Sequence, residues 1–251
     1  MQVVAIIPAR FGSTRFPGKP LAEQTGKYLI QHVYEQVIAA RRVNRCIVAT
    51  DDERIVEAVR SFGGEATMTR ADHPSGTDRL AEVVRGLDGT PDDIILNVQG
   101  DEPELEPAHL DRLVECLVAD GACSVATLAA PFPATADPRD PNCVKVVCNR
   151  QGQALYFSRA LIPWPREQQA AADDYDWLLH LGIYAYRRAF LLDFASWETS
   201  PLERIERLEQ LRVLDNGYAM AVTVVQHACA GVDTPEDYEQ FVARHQARMR
   251  G

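Results

Sequence analysis

The sequence that decides the fold is residues 3–19, VVAIIPARFGSTRFPGK, near the start of the chain. Its first five residues are all apolar, and such a short run bounded by turn signals predicts a buried strand. The turn that follows holds two glycines and three cationic side chains, namely Gly12, Gly18, Arg10, Arg15 and Lys19. A strand that ends in a cationic turn places those charges at the carboxyl end of a sheet, where α/β proteins bind their ligands.

Strands and helices alternate regularly after this first strand. Further apolar runs predict strands at residues 46–49, 65–68, 94–98 and 124–129. Apolar stripes at helical spacing separate the strands and predict helices that contain Leu29, Ile55, Leu80 and Leu110. Repeated strand–helix–strand order predicts an α/β fold, in which helices cover both faces of a mostly parallel central sheet.

The second half of the chain has a different pattern. Strands are predicted at residues 144–148, 155–157, 183–186 and 220–225. No regular helix is predicted between the first three of these strands. Apolar residues recur every third position from Leu202 to Leu214, which predicts one helix. Residues 235–248 predict a closing helix. We therefore expect a single domain, residues 1–251, that carries a smaller lobe at roughly 130–200.

Composition narrows the possible functions. The net charge of −10 disfavours nucleic-acid binding, because that needs a basic face. The N-terminal residues lack the basic region of a signal peptide, and no apolar run is long enough to span a membrane. We therefore expect a cytoplasmic protein without membrane insertion. None of the six cysteines belongs to a C-x-x-C pair, which predicts free thiols rather than a zinc site.

The cationic turn is the first candidate site. Glycine lets the backbone approach a ligand closely. Arg can donate two parallel hydrogen bonds to phosphate oxygens, and Lys adds a point charge. In an acidic chain, Arg10, Arg15 and Lys19 therefore predict a triphosphate site. The G-x-x-x-x-G-K-[ST] spacing of a P-loop is absent from this turn. The alternative is a solvated basic turn, which its prolines and glycines disfavour because they impose a fixed shape.

Two aspartates are the candidate metal ligands. Asp101 follows a predicted strand in the segment NVQGDEP, and Asp233 lies in GVDTPED before the closing helix. Mg²⁺ prefers oxygen ligands and few protein contacts, so two carboxylates suit it. Asp233 is not needed for the helix cap, which Thr234 and Asp237 can form. Taken singly, each aspartate is equally compatible with a structural role in a turn.

A further group lies at the predicted start of the third helix, in the segment PSGTDR. Gly76 is at a helix entry, where free N–H groups can meet a ligand, and Arg79 can reach a base or a ribose. The alternative is that Ser75 forms an ordinary N-cap.

Eight segments in order resemble the 3-deoxy-manno-octulosonate cytidylyltransferase family, also called the CMP-Kdo synthetases. They are IPARFGSTRFPGKP, VATDD, MTRADHPSGTDRLAE, NVQGDEP, ALYFSRALIPW, HLGIYAYR, SPLERIERLEQLR and GVDTPED. The resemblance covers nearly the whole chain and implies a Rossmann-like nucleotidyltransferase fold, a homodimer and dependence on Mg²⁺. The implied activity is transfer of CMP from CTP to the anomeric hydroxyl of 3-deoxy-D-manno-octulosonate (Kdo), giving CMP-Kdo and pyrophosphate for lipopolysaccharide synthesis.

The resemblance also implies roles for individual residues. It implies a catalytic role for Asp101, Asp233 and Lys19, and the two aspartates are its metal ligands. CTP binding is implied for Arg10, Ser13, Thr14, Arg15, Lys19, Ser75, Gly76, Arg79 and Gln99. A sugar-binding and dimerisation lobe is implied as well, with sugar contacts from Arg159, His180, Tyr184, Glu209 and Gln210.

The residues themselves support the sugar assignments only in part. Arg159 follows a predicted strand and suits a sugar carboxylate. His180 before an apolar strand is by itself typical of a structural histidine, and Glu209 and Gln210 lie off the leucine stripe, as solvated helix surface does. The alternatives for the whole chain are a CMP-sialic acid synthetase-like cytidylyltransferase, a cytidylyltransferase for an amino variant of Kdo, and a non-catalytic sensor with the same fold.

Overall fold

The structure is a computed structural model that describes residues 1–12, 15–133, 136–166 and 175–250. The chain divides into two compact units. The first unit comprises Met1–Asp111, Arg187–Ala195 and Cys229–Gly251. The second unit comprises Arg112–Tyr186 and Ser196–Ala228, and it contains most of the segment in which we expect the lobe.

The first unit is built on a parallel sheet. Its strands are β1 (Val3–Ala9), β2 (Arg45–Thr50), β3 (Glu65–Met68) and β4 (Ile94–Asn97). They lie in the order β3-β2-β1-β4, and every pairing is parallel. The strands β1 and β4 are buried almost throughout, as expected where helices cover both faces of a sheet. The predicted α/β class with a mostly parallel sheet is confirmed.

The helices of the first unit follow its strands. They are α1 (Leu29–Ile38), α2 (Glu53–Ser61), α3 (Gly76–Arg85), the start of α4 (Pro107–Ala119), α5 (Arg188–Phe194) and α8 (Pro235–Arg250). Side-chain caps fix where α2 and α3 begin, because Asp52 accepts from the Arg54 amide and Ser75 from the Asp78 amide. The α8 helix packs Tyr238 and Phe241 against Leu29 of α1 in one buried cluster.

The second unit combines parallel and antiparallel pairs. Its strands are β5 (Val125–Pro131), β6 (Lys145–Cys148), β7 (Ala154–Ser158), β8 (Leu178–Arg187) and β9 (Met220–Val224). β5 pairs parallel with β9 and antiparallel with β8, with a register shift between Thr127 and Ala129. β6 and β7 form an antiparallel hairpin, and β6 also pairs with β8. This unit also holds two short helices, α6 (Pro201–Glu206) and α7 (Leu211–Asp215).

The single helix predicted from Leu202 to Leu214 is wrong. The α6 helix ends at Arg207, which adopts a left-handed conformation with φ 54°, and α7 begins only at Leu211. Residues spaced three apart rotate by about 60° per step around a helix of 3.6 residues per turn, so the stripe cannot stay on one face. The break lets Leu208 and Leu211 be buried while Ile205 stays 81% exposed.

Two predictions from composition concern the described residues. None of the helices in the part of the chain that the structure describes combines the length and the apolar character needed to cross a membrane. All six cysteines are free thiols, as predicted, with Cys46 and Cys123 buried and the other four half-buried.

Candidate active site

The loop after β1 has a defined shape. Gly18 adopts a positive φ of 70°, and its amide donates to the Phe11 carbonyl at 2.9 Å. A Cβ atom at Gly18 would lie 3.2 Å from the Phe11 ring, so glycine is favoured here by both space and backbone conformation. The guanidinium of Arg54 stacks on that ring, 3.4 Å from its centroid. Ser13 and Thr14, two predicted CTP contacts, lie outside the described residues.

Lys19 is directed into a group of oxygen atoms. Its Nζ donates to Asp101 Oδ2 at 2.7 Å and to the carbonyl of Val232 at 2.7 Å. Asp233 Oδ1 lies 3.7 Å from the same Nζ, and the lysine side chain is only 12% exposed. The two aspartates are more than a hundred residues apart in the sequence, yet both contact the ammonium of Lys19. The distance between Asp101 Oδ2 and Asp233 Oδ1 is therefore no greater than the sum of their two distances to Lys19 Nζ.

Backbone and side-chain contacts hold this convergence in place. The Val232 amide donates to the Asp101 carbonyl at 2.8 Å, which ties the loop after β4 to the loop before α8. Arg15 Nη2 contacts Asp233 Oδ1 at 3.0 Å. The helix cap leaves Asp233 available, because Asp237 accepts from the Asp233 and Thr234 amides. We call Arg15, Lys19, Asp101 and Asp233 the charged cluster.

A cleft of about 290 Å³ opens beside the charged cluster at the carboxyl ends of β1 and β4. Its walls come from the loop after β1, the start of α3 and the turn after β4, and its lining residues are Pro8, Ala9, Arg10, Gly12, Lys19, Pro20, Gly76, Gln99, Gly100 and Asp101. A Cβ atom at Gly100 would lie 3.1 Å from the Pro8 carbonyl, so glycine favours the close approach of the turn after β4 to strand β1. Five residues with predicted catalytic or CTP-binding roles therefore line one cleft.

Arg10 is oriented by a loop that sequence reasoning missed. Its Nη2 donates to the His73 carbonyl at 2.6 Å. The Glu82 carboxylate holds that loop, because it contacts His73 Nε2 and accepts from the Arg70 amide. Burial opposes ionisation of Glu82, yet its hydrogen bonds with His73 and Arg70 lower its pKa below the ordinary value. No local sequence motif predicts this arrangement, because the contact between His73 and Glu82 depends on how α3 packs against the loop before it.

Ser75 and Arg79 have structural partners. Ser75 caps α3, as the alternative reading of this segment proposed, and its hydroxyl also donates to Asp78 Oδ2 at 2.7 Å. Arg79 is fully buried, with Nη2 at 2.9 Å from Asp51 Oδ2 and Nη1 at 2.5 Å from Thr69 Oγ1. Its guanidinium thus holds the ends of two strands together, and its predicted contact with the nucleotide stays a prediction.

Glu102 follows Asp101 and is a further residue that sequence reasoning missed. Burial and the adjacent charge of Asp101 raise its pKa well above the ordinary value. Among the described residues, no group of three His, Cys, Asp or Glu side chains is arranged to hold a metal ion. The pair Asp101 and Asp233 remains the candidate.

In the second unit, His180 on β8 is half-buried and belongs to a chain of hydrogen bonds. Thr127 Oγ1 donates to the Ile183 carbonyl at 2.7 Å and so can accept from His180 Nε2 at 2.9 Å. That assignment leaves Nδ1 as the acceptor for Gln210 Nε2, 3.5 Å away. Burial lowers the pKa of His180 to about 3, so the ring is neutral at physiological pH.

Tyr184 lies beside this histidine, and the charge of Glu209 acts on Tyr184. The Tyr184 ring centroid is 5.5 Å from that of His180, and Phe157 packs on the other ring edge at 4.9 Å. Burial, together with the charge of Glu209, raises the pKa of Tyr184. Gln210 is buried, so the prediction that it lies on a solvated helix surface is wrong. The reason is that the predicted helix is interrupted before this position. We call Thr127, His180, Tyr184 and Gln210 the neutral cluster.

Arg159 is anchored at the end of β7. Its Nε donates to the Glu206 carbonyl at 2.8 Å, and its Nη1 donates to the Pro141 carbonyl at 2.9 Å. The residue that sequence reasoning missed here is Lys145, whose side chain is buried and donates to the Arg159 carbonyl at 2.6 Å. Lys145 also donates to the carbonyls of Asp140 and Cys143. It therefore joins the backbone at Arg159 to the turn before β6.

The fold and the site together define a class of protein. A parallel α/β sheet whose carboxyl edge carries a cationic glycine loop and two converging aspartates is the arrangement of a nucleotidyltransferase. The family model described as Cytidylyltransferase matches residues 4–223. The chain belongs to this family, and the relatives that match along its whole length are 3-deoxy-manno-octulosonate cytidylyltransferases.

The chain is similar over nearly its whole length to two of these relatives and to one solved structure. The 3-deoxy-manno-octulosonate cytidylyltransferase of Syntrophotalea carbinolica is 50% identical and covers 100% of both chains. That of Syntrophobacter fumaroxidans is 52% identical over 96% of each chain. A structure of CMP:2-keto-3-deoxy-manno-octonic acid synthetase complexed with CTP is 44% identical, with a TM-score of 0.92 over 99% of this chain and 100% of that one.

Proposed function

We propose that this chain transfers CMP from CTP to the anomeric hydroxyl of Kdo and releases pyrophosphate, and that the CMP-Kdo it makes serves lipopolysaccharide synthesis. The observation that carries the proposal is the convergence of Asp101 and Asp233 on Lys19 beside the cleft. Relatives about half identical over their full length bear the name of this activity. Those names favour Kdo over sialic acid or an amino variant of Kdo.

CTP is held mainly by charge. Arg10, Arg15 and Lys19 bind the triphosphate, because the rest of the chain is acidic and these three cations follow one strand. Ser13 and Thr14 of the same loop contribute further contacts. Ser75, Gly76, Arg79 and Gln99 lie toward the cytidine. The cations also stabilise the charge that develops on the departing pyrophosphate.

Asp101 and Asp233 hold Mg²⁺. The position of Lys19 Nζ tests the fit, since a cation there already has two carboxylates and the Val232 carbonyl around it. An all-oxygen site with few protein ligands suits Mg²⁺, which keeps several waters. When bound, Mg²⁺ lowers the pKa of the attacking hydroxyl and neutralises charge at the α-phosphate.

The sugar is recognised by the second unit. Arg159 binds its carboxylate with the guanidinium donors that the carbonyls of Glu206, Pro141 and Arg207 leave available. His180, Tyr184, Glu209 and Gln210 read its hydroxyls. Neutral His180 is suited to this task because it offers a dipole rather than a charge.

The reaction needs no covalent intermediate on the protein. The anomeric oxygen bonds to the α-phosphorus, the bond from that phosphorus to the bridging oxygen of pyrophosphate breaks, and the hydroxyl proton leaves to solvent. The residues of this chain therefore act by orienting two substrates and by stabilising charge.

Two further properties belong to the proposal. We place the protein in the cytoplasm, where nucleoside triphosphates are available. We also expect a homodimer, for which exposed apolar side chains of the second unit, among them Leu155 and Ile205, provide contact surface.

An assay of the purified protein with CTP and Mg²⁺ tests the activity. Pyrophosphate release should require Kdo and stop when the metal is chelated. Comparable rates with sialic acid or with an amino variant of Kdo would instead support those alternatives. Absence of release with every sugar would support a non-catalytic sensor.

A further inference from the structure

Lys19 occupies the position that the two aspartates offer to a cation. Its Nζ lies 2.7 Å from Asp101 Oδ2 and 3.7 Å from Asp233 Oδ1. A third contact, to the Val232 carbonyl at 2.7 Å, and 12% exposure of the side chain show that this ammonium is anchored rather than loosely paired. We infer that Lys19 acts as a place-holder, whose ammonium keeps the two carboxylates together until nucleotide draws it away and a divalent cation replaces it. This inference rests on the proposed function.

The geometry makes the two cations competitors. A divalent ion of the Mg²⁺ type sits about 2 Å from a carboxylate oxygen. An ion held at that distance by both Asp101 Oδ2 and Asp233 Oδ1 would occupy the space between the two carboxylates, where Lys19 Nζ lies. Two positive charges at such separation repel strongly in a partly buried site. Binding of the metal therefore requires Lys19 to leave.

The charges explain why a place-holder is useful. Without Lys19, the two carboxylates would repel each other at short range, while the hydrogen bond from the Val232 amide to the Asp101 carbonyl would still hold their two loops together. The contact of Arg15 with Asp233 completes the balance, so the four side chains of the charged cluster carry no net charge at rest. A neutral cluster attracts a divalent cation weakly.

Nucleotide supplies the alternative partner for Lys19. Triphosphate oxygens in the adjacent cleft, which Lys19 itself lines, compete for its ammonium. Removal of this one charge leaves the aspartates with an unbalanced negative charge and a vacant cation position. Nucleotide and metal are thereby expected to bind with positive coupling, and each should strengthen the binding of the other by the same factor.

The test is an equilibrium titration of nucleotide-free protein with Mn²⁺, read by electron paramagnetic resonance. Lys19→Met removes the charge and keeps the length of the side chain, so it should bind Mn²⁺ on the order of tenfold more tightly than the wild type. Lys19→Arg, which keeps a cation, should match the wild type. Lys27→Met is the matched control, because Lys27 pairs with Glu35 on the exposed face of the same unit and should change nothing.

The double variant Lys19→Met with Asp101→Asn separates the inference from the proposed function. It should lose the added Mn²⁺ affinity. Equal Mn²⁺ affinity in Lys19→Met and wild type would overturn the place-holder, while the metal site stands if CTP-loaded wild type binds Mn²⁺ more tightly than CTP-loaded Asp101→Asn. If those two proteins also bind Mn²⁺ equally, the metal assignment itself fails. Thermal melts of each variant verify folding, and Lys19→Gln replaces Lys19→Met if the latter is unfolded.

Discussion

The charged cluster and the neutral cluster offer a polar ligand two different kinds of interaction. Lys19 and Arg15 of the first unit meet two carboxylates at the mouth of a cleft. In the second unit, burial lowers the pKa of His180 to about 3 and raises that of Tyr184, so both rings are neutral. The contrast teaches that one cluster acts through paired ionised side chains and the other through oriented dipoles, and the two respond differently to salt, pH and substitution.

The largest expected effect comes from the charged cluster. Asp233→Asn keeps the shape of the side chain but removes half of the anionic charge offered to the metal. We expect turnover to fall about 10²- to 10³-fold, the usual size for loss of a group that stabilises transition-state charge. CTP affinity, measured by calorimetry without divalent metal, should stay near that of the wild type, since the phosphates contact the cations.

The matched control for this variant is Glu236→Gln, an exposed acid three residues along. It should keep full turnover. Near-normal turnover in Asp233→Asn would remove Asp233 from the metal site.

The second effect probes the guanidinium of the second unit. Arg159→Ala should raise the KM for the sugar about 10²-fold, because a charge-assisted pair with a carboxylate is lost. The KM for CTP should change little. Arg159 also donates to the Glu206 and Pro141 carbonyls, so melting temperatures must accompany the kinetics. An unchanged KM for the sugar in a folded variant would contradict the carboxylate assignment.

The third effect tests whether the second cluster is neutral. The folded pKa of His180, about 3, lies below its ordinary value of 6.5, so the unfolded state takes up a proton that the folded state refuses. The stabilising contribution is complete above pH 6.5 and is lost as the pH falls toward 3, by about 1.4 kcal/mol per pH unit at most. His180→Gln should remove this slope from the pH dependence of unfolding measured with urea.

His227→Gln is the control for that experiment, because His227 is exposed. It should retain the wild-type slope. His32, whose pKa is lowered to about 4, is present in all three proteins, so its contribution cancels. If His180→Gln and wild type lose stability in parallel below pH 6.5, the ring is not held neutral by the fold.

The smallest effect concerns the loop that orients Arg10. Glu82→Gln should weaken the contact with His73, whose carbonyl accepts from Arg10. We expect the KM for CTP to rise about fivefold with a smaller change in kcat, as for loss of one charged hydrogen bond acting through a neighbour. Glu57→Gln, on the exposed face of α2, is the matched control. An equal loss of kcat at constant KM would point to a role other than positioning.

The first unit was predictable because its chemistry follows the chain locally. Each strand is an apolar run, and the cationic turn and Asp101 come directly after strands whose carboxyl ends share one edge. The convergence of Asp233 could be proposed from residue type and resemblance. What the sequence did not reveal was that Lys19 lies between the two aspartates, since that depends on a side-chain conformation.

The second unit was less predictable because its contacts are tertiary. Lys145 is a lone lysine in an apolar strand, and its carbonyl partners combine one turn before that strand, Asp140 and Cys143, with Arg159 after β7. The leucine pattern from Leu202 to Leu214 favoured a single helix, whereas the turn at Arg207 depends on what the flanking residues bury. Burial of Gln210 follows from that turn and could not be read from periodicity.

The central claim is that Asp101 and Asp233 share one divalent cation beside a cationic loop that holds three phosphates. Anomalous diffraction from crystals grown with Mn²⁺ and a non-hydrolysable CTP analogue measures this directly. We predict an Mn²⁺ ion within about 2 Å of a carboxylate oxygen from each aspartate, with Lys19 Nζ moved onto the phosphates. An Mn²⁺ ion bound by phosphates alone, with Lys19 still between the two aspartates, would contradict it.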